Sequence, residues 1–199
     1  MPSWPPTATA ANAPVAAAAA PPPWNATARR ARWLVNNAIW TSVGTTSVKF
    51  KGMPWGNVRS IADGEGVNST GLPYLYLPTP DPTAVDIRAD PHTTLSFSEA
   101  ALPTRVTSGN TCGGMDAEDP TCARLHLSGT LRAITDKADL AKAEAALGAR
   151  HPYAPWLASG GAHTGGTYYT IELTSITFLD YYGGPAKLSV REYLAAKPK

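Results

Sequence analysis

The chain has 199 residues, 43% of them hydrophobic and 16% charged, with a formal net charge of +2. That length accommodates one sizeable domain, and the apolar content excludes a wholly disordered chain. So small a charge leaves no footprint for nucleic acid or an anionic membrane surface as partner, and no run reaches the roughly 18 apolar residues of a membrane span.

In chain order, residues 1–27 read as a disordered Ala/Pro-rich tail and residues 28–196 as the folded domain. Up to Asn25 the tail has no acidic residue, and it is too poor in large apolar groups to offset its ordering entropy. The apolar run from Val15 to Ala20 lacks a basic start and ends at Pro21-Pro22-Pro23, which makes a poor secretory signal. Arg29, Arg30 and Arg32 after an acid-free stretch are compatible with an organelle transit peptide. A linker downstream of a removed or omitted signal is the simpler reading, because those arginines fit the first helix.

Ala31, Leu34, Val35, Ala38 and Ile39 recur at helical spacing, which predicts a helix over 28–39. Residues 40–50 are rich in β-branched and aromatic side chains and read as a strand. Further strands are predicted over 56–64 and 72–77. Asp81-Pro82 is a helix start, with aspartate at the N-cap and proline at the first helical position; Pro91 stops that helix near Asp90. Residues 92–100 and 123–134 are two more strands. Asp136 and Asp139 suggest a cap for a helix whose Leu140, Ala143 and Leu147 form one buried stripe. The last long strand is predicted over 168–184, with a bulge near Ser175 where the apolar phase slips between Leu173 and Ile176. At least six strands with three short helices suggest an antiparallel barrel of the α+β class.

Cys112 and Cys122 are the only cysteines. Their spacing is not that of a redox C-x-x-C, and no second pair completes a zinc site. His92, His126, His151 and His163 show no metal-ligand spacing among themselves, and His126, alternating with Leu125 and Leu127, reads as a solvent-facing strand residue; no metal is assigned. A disulfide across this loop contributes about 2.8 kcal/mol in the chain-entropy picture, and the enclosed Asp116, Glu118 and Asp119 read as a solvated tip. Asn25-Ala26-Thr27 and Asn68-Ser69-Thr70 are N-glycosylation acceptors. Two such sequons plus an isolated cysteine pair favour an oxidising compartment.

These segments resemble the CREG family of secreted or endolysosomal glycoproteins, built on the flavin-binding split barrel. The likeness runs from Ala31-Arg32-Trp33-Leu34-Val35, through Trp40, Pro54-Trp55-Gly56-Asn57-Val58, Asp63-Gly64 and residues 71–78, to Arg150-His151-Pro152 with Trp156, 179–185 and Arg191-Glu192-Tyr193-Leu194. The block 111–131 resembles plant-type members. The resemblance implies a six-stranded antiparallel split barrel with peripheral helices, paired as a homodimer. In flavin enzymes of this fold, FMN sits at the dimer interface with its phosphate held from the second and third strands. Arg59 and Ser60 are the nearest equivalents here. The turn after the third strand, Leu77-Pro78-Thr79-Pro80, lacks the usual cation, a loss of about 1.5–3 kcal/mol of charge-assisted bonding.

Catalytic signatures of other kinds are missing: no G-x-S-x-G elbow, no H-E-x-x-H, no Walker loop. Gly64-x-Gly66 with Gly71 joins two strands and is a turn, not a dinucleotide loop. Asp63 and Glu65 read as solvated carboxylates of that turn, and Arg150 and His151 as residues complementing a helix dipole. The plentiful Trp and Tyr side chains fit a core and a dimer seam. The leading expectation is a non-catalytic, homodimeric binding module of the secretory pathway, secreted or lysosomal/vacuolar, that meets a glycoprotein receptor or another protein and carries no cofactor; a plastid or other organelle is the alternative site. An FMN-dependent oxidoreductase of the pyridoxamine-phosphate-oxidase-like class is the second reading. Haem binding through His151 or His163 is the third.

Overall fold

A computed structural model describes residues 20–64, 68–103, 111–154, 157 and 165–198. Among these, four α-helices and seven strands follow in chain order: α1 Thr27–Asn37, β1 Trp40–Thr46, β2 Pro54–Ser60, β3 Leu75–Leu77, α2 Pro82–Ala89, β4 His92–Ser98, β5 Arg124–Ala133, α3 Lys137–Arg150, β6 Thr167–Leu179, β7 Ala186–Leu188 and α4 Val190–Ala195. Every pairing is antiparallel, in the order β2-β1-β4-β5-β6-β3, with β7 also lying on β6. One bridge, Tyr74 N–H to Ala62 C=O at 2.8 Å with its reciprocal bond at 3.3 Å, brings the β2 edge to the β3 edge. A sheet whose ends meet at so narrow a join is a split barrel, the α+β fold the sequence suggested.

The predicted elements are present with local differences. The expected strand over 168–184 ends at Leu179, and the chain then turns through the glycines at 183 and 184 into the short β7, which the sequence did not reveal. The first strand stops at Thr46 instead of Phe50, because residues 47–53 form the hairpin to β2, closed by Gly52 N–H to Ser47 C=O at 2.7 Å. The bulge in β6 lies where the phase slip placed it. Ser128 faces Ser175 while Gly129 faces Leu173, so Thr174 is the extra residue. A Cβ on Gly129 would sit 2.0 Å from Glu172 O, so only glycine fits opposite the bulge. Asp81 caps α2 by accepting from Thr83 N at 2.8 Å, and Asp136 caps α3 by accepting from Ala138 and Asp139 N.

Helix α1 departs most from expectation. Ala31, Arg32, Trp33, Leu34 and Val35 are all buried, so the helix is sunk into the core and does not lie on it by one stripe. The buried arginine is tolerable because both of its Nη groups are partnered, although its Nε–H has no hydrogen-bond partner among the described residues. Nη1 donates to Ala196 O at 3.0 Å and Leu194 O at 3.2 Å, and Nη2 donates to Ser69 O at 2.9 Å and Ser69 Oγ at 3.0 Å. Ser69 in turn donates to Asp63 at 2.7 Å, and Asp63 also accepts from Gly71 N at 2.6 Å and from Thr70 N and Oγ1 at 3.0 Å. Tyr193, fully buried in α4, donates to Gly71 O at 2.9 Å beneath the arginine.

Asp63 was expected as a solvated turn residue and is instead 1% exposed; Glu65 and Gly66 lie outside the described residues. Burial pushes the Asp63 carboxyl above its ordinary range, against the pull of Ser69, Arg32, Thr70 and Gly71. This group locks α1, the loop before β3 and α4 together. Arg32→Met, which leaves Asp63 without its cation and removes the arginine donor from four carbonyls, is expected to cost about 3–5 kcal/mol in urea unfolding. A loss below about 1 kcal/mol, the size of an exposed ion pair, would contradict this account.

Candidate functional site

Strand β2, strand β3, the turn before α2 and helix α3 enclose a cavity of about 350 Å³ lined by Val58, Arg59, Ser60, Tyr76, Pro78, Asp81, Leu147 and Leu157. The structure therefore brings the two sequence-predicted site residues, Arg59 and Ser60, to one concavity. What the sequence did not reveal is their neighbour. Arg59 Nη2 forms a close ion pair with Asp81 Oδ2 and lies 3.5 Å from Thr83 Oγ1. The Arg59 and Asp81 side chains are 18% and 15% exposed, so the pair is shielded from water and salt. Asp81 has a double role: one carboxylate oxygen caps α2 and the other holds the arginine. The Arg59 Nε–H is buried and has no partner among the described residues.

The turn after β3 carries no cation of its own, as its sequence reads. Arg88 in the last turn of α2 nevertheless reaches Thr79 O at 3.1 Å, so a cation stands beside this turn, already engaged with a carbonyl. The Asp81-Pro82 helix start was legible; that its aspartate faces Arg59 follows from the return of the chain past β3 and has no signature in local sequence.

The histidines are dispersed. His92 is exposed and 2.6 Å from Asp90, and His126 is exposed and 3.1 Å from Ser96 Oγ, both on solvent-facing strand positions. His151 caps the end of α3, and its Nε2 donates to Ile61 O at 2.8 Å, while Arg150 donates to Asn36 O at 3.0 Å and Gly64 O at 3.2 Å. These two residues do more than complement a helix dipole: they tie α3 to the ends of α1 and β2. His163 and Trp156 lie outside the described residues. Cys112 and Cys122 are joined, with Cα atoms 5.0 Å apart and the Cys122 side chain fully buried. Asn25 and Asn68 are both exposed.

The geometry places the chain among proteins with a split-barrel fold. Solved structures of similar fold include a heme binding protein from Mycobacterium smegmatis, with a TM-score of 0.63 at 17% identity over 85% of this chain and 60% of that one. Another is a protein of the pyridoxinephosphate oxidase family from Clostridium acetobutylicum, with a TM-score of 0.51 at 16% identity over 80% of this chain and 92% of that one. Within this class the chain belongs to the CREG family, whose β-barrel family model matches residues 22–195. It is 31% identical to CREG1 of Gallus gallus, over 95% of both chains, and 30% identical to human CREG2, over 92% of this chain. It spans 60% of the length of human CREG2.

Burial holds the His151 imidazole below its ordinary pKa of 6.5, helped by the charge of Arg150 and opposed by the bond to Ile61. The unfolded chain therefore binds this proton more readily than the folded one. Stability supplied by neutral His151 is complete above 6.5 and is lost as pH falls below it. Gln at 151 can keep a donor to Ile61 O without titrating. Between about pH 7 and pH 5, denaturation midpoints should fall less steeply for His151→Gln than for the native chain; parallel curves would show that His151 does not titrate in this window.

Proposed function

We propose that this chain is a non-catalytic glycoprotein of the secretory pathway, secreted or delivered to a lysosome or vacuole. It works there as a homodimeric split-barrel module that binds a protein partner such as a glycoprotein receptor. The observation that carries this reading is the Arg59–Asp81 ion pair within the cavity. An arginine already facing a shielded carboxylate has to break that pair before it can meet a phosphate, and a dianion brought beside Asp81 meets like charge. The bound cysteine pair and the two exposed sequons support an oxidising, glycosylating compartment. Among the described residues no helix is long and apolar enough to cross a membrane. For pairing with a second copy, the support is apolar exposure on the solvent face of the β1–β2 edge, where Trp40 is 38% and Val58 61% exposed.

The second reading, an FMN-dependent oxidoreductase, draws support from one atom: the buried Nε–H of Arg59 has no partner among the described residues, which leaves one donor of the fork unused by the chain. Haem ligation finds less support, since His151 Nε2 is already engaged with Ile61 O.

Asp81→Asn separates the first two readings, because asparagine still caps α2 but no longer neutralises Arg59. Protein secreted from a eukaryotic host should be colourless. In a flavin-fluorescence titration, Asp81→Asn should bind FMN about ten- to a hundredfold more tightly than the native chain. Native protein that arrives yellow with one flavin per chain would overturn the proposal.

A further inference from the structure

Trp24 and Asn25 occupy the two central positions of a turn closed by Ala26 N–H to Pro23 C=O at 2.9 Å. The turn is held down from below: Pro22 is buried, and its carbonyl lies 3.5 Å from Arg30 Nη1. Arg30 in turn pairs with Glu99 at 3.0 Å and approaches Asp180 at 3.9 Å. That anchoring sets the Trp24 ring against the loop that follows β6. Trp24 stacks on Tyr181, centroids 4.7 Å apart and planes 20° apart, and Tyr182 meets Tyr181 edge-on at 84°.

Three rings thus form a stacked pair with a third ring at right angles, yet they remain 55%, 43% and 63% exposed. A tight aromatic cluster left open to water is a surface prepared for a ligand that is itself amphipathic. The residue beside it in the turn is the acceptor asparagine of the Asn25-Ala26-Thr27 sequon. A β-linked N-acetylglucosamine matches both needs, since its axial C–H face packs on aromatic rings while its acetamide and hydroxyls meet the tyrosine hydroxyls and indole N–H.

We infer that the Trp24/Tyr181/Tyr182 cluster is an intramolecular carbohydrate platform, on which the first sugar attached to Asn25 docks. The glycan thereby fastens the turn before α1 to the loop after β6. This inference rests on the reading of the chain as a secretory-pathway glycoprotein. It gives the Asn25 sugar a structural role, distinct from recognition by an outside receptor.

The test uses the full chain secreted from a eukaryotic host, in an Asn68→Gln background so that Asn25 alone carries sugar. Complete glycan removal with a peptide N-glycosidase should lower the melting temperature by about 2–4 °C. Trimming with an endoglycosidase that leaves the first N-acetylglucosamine should preserve most of that difference. In Tyr182→Ala and Trp24→Ala, complete removal should produce no shift beyond about a quarter of the native one. Asn25 found occupied by peptide mass, with unchanged melting on removal, would overturn the platform and leave the glycoprotein reading standing. Asn25 found bare would overturn both at this site.

Discussion

The structure depends on finding partners for one buried positive charge. Arg32 sits in the interior of a helix whose neighbours on both sides are core residues, and it cannot reach bulk water. Its two Nη groups are partnered by the chain itself: carbonyls at the end of α4, then Ser69, and through Ser69 the carboxylate of Asp63. An unpartnered charge at this depth would cost several kcal/mol, so the first helix, the last helix and the loop before β3 assemble together or not at all. The geometry leaves little freedom. Gly71 adopts φ +80°, and a Cβ there would lie 2.7 Å from Arg32 Nε. The chain crosses directly over the guanidinium at that point, and only glycine lets it do so.

This lock also fixes the functional surface. It sets the loop that carries the Asn68 sequon, with Thr70 bonded to Asp63 behind it and Asn68 outward. On the opposite side of the same strand connection, β2 presents Arg59 to a cavity of the size of a small-ligand site. There Arg59 already faces a carboxylate. The aspartate that starts α2 points its second oxygen at the arginine, so the two charges offset one another locally. A fold shared with a heme binding protein and with a protein of the pyridoxinephosphate oxidase family carries no function by itself; the functional reading rests on the charge arrangement in this cleft.

Much of the architecture was legible because its signals are local. Asp81-Pro82 and the Asp136 cap mark their helices through hydrogen bonds made within three residues, and the Leu173-to-Ile176 phase slip marks the bulge because burial alternates along a single strand. The two Cys residues were legible for lack of any other partner. Long-range polar pairs were not. Arg32 looked like one of three helix arginines, Asp63 like a turn carboxylate, and Asp81 like a cap and nothing more, because their partners lie 37, 8 and 22 residues away. Chain topology alone brings those residues together. Ser189 and Glu192 form a capping box that a local reading could have used to find α4. The three-residue β7 is too short for any periodicity to show.

The central functional claim, that Asp81 holds Arg59 away from ligand phosphate, is most directly tested at the arginine itself. The Arg59 Nε–Hε resonance, assigned through Arg59→Lys, can be followed by heteronuclear NMR while FMN, and separately inorganic phosphate, is added to the disulfide-intact native chain. The account predicts that this resonance stays in place while FMN is added, and that it moves saturably only when Asp81 is replaced by asparagine. A saturable shift in the native chain at stoichiometric FMN would contradict it.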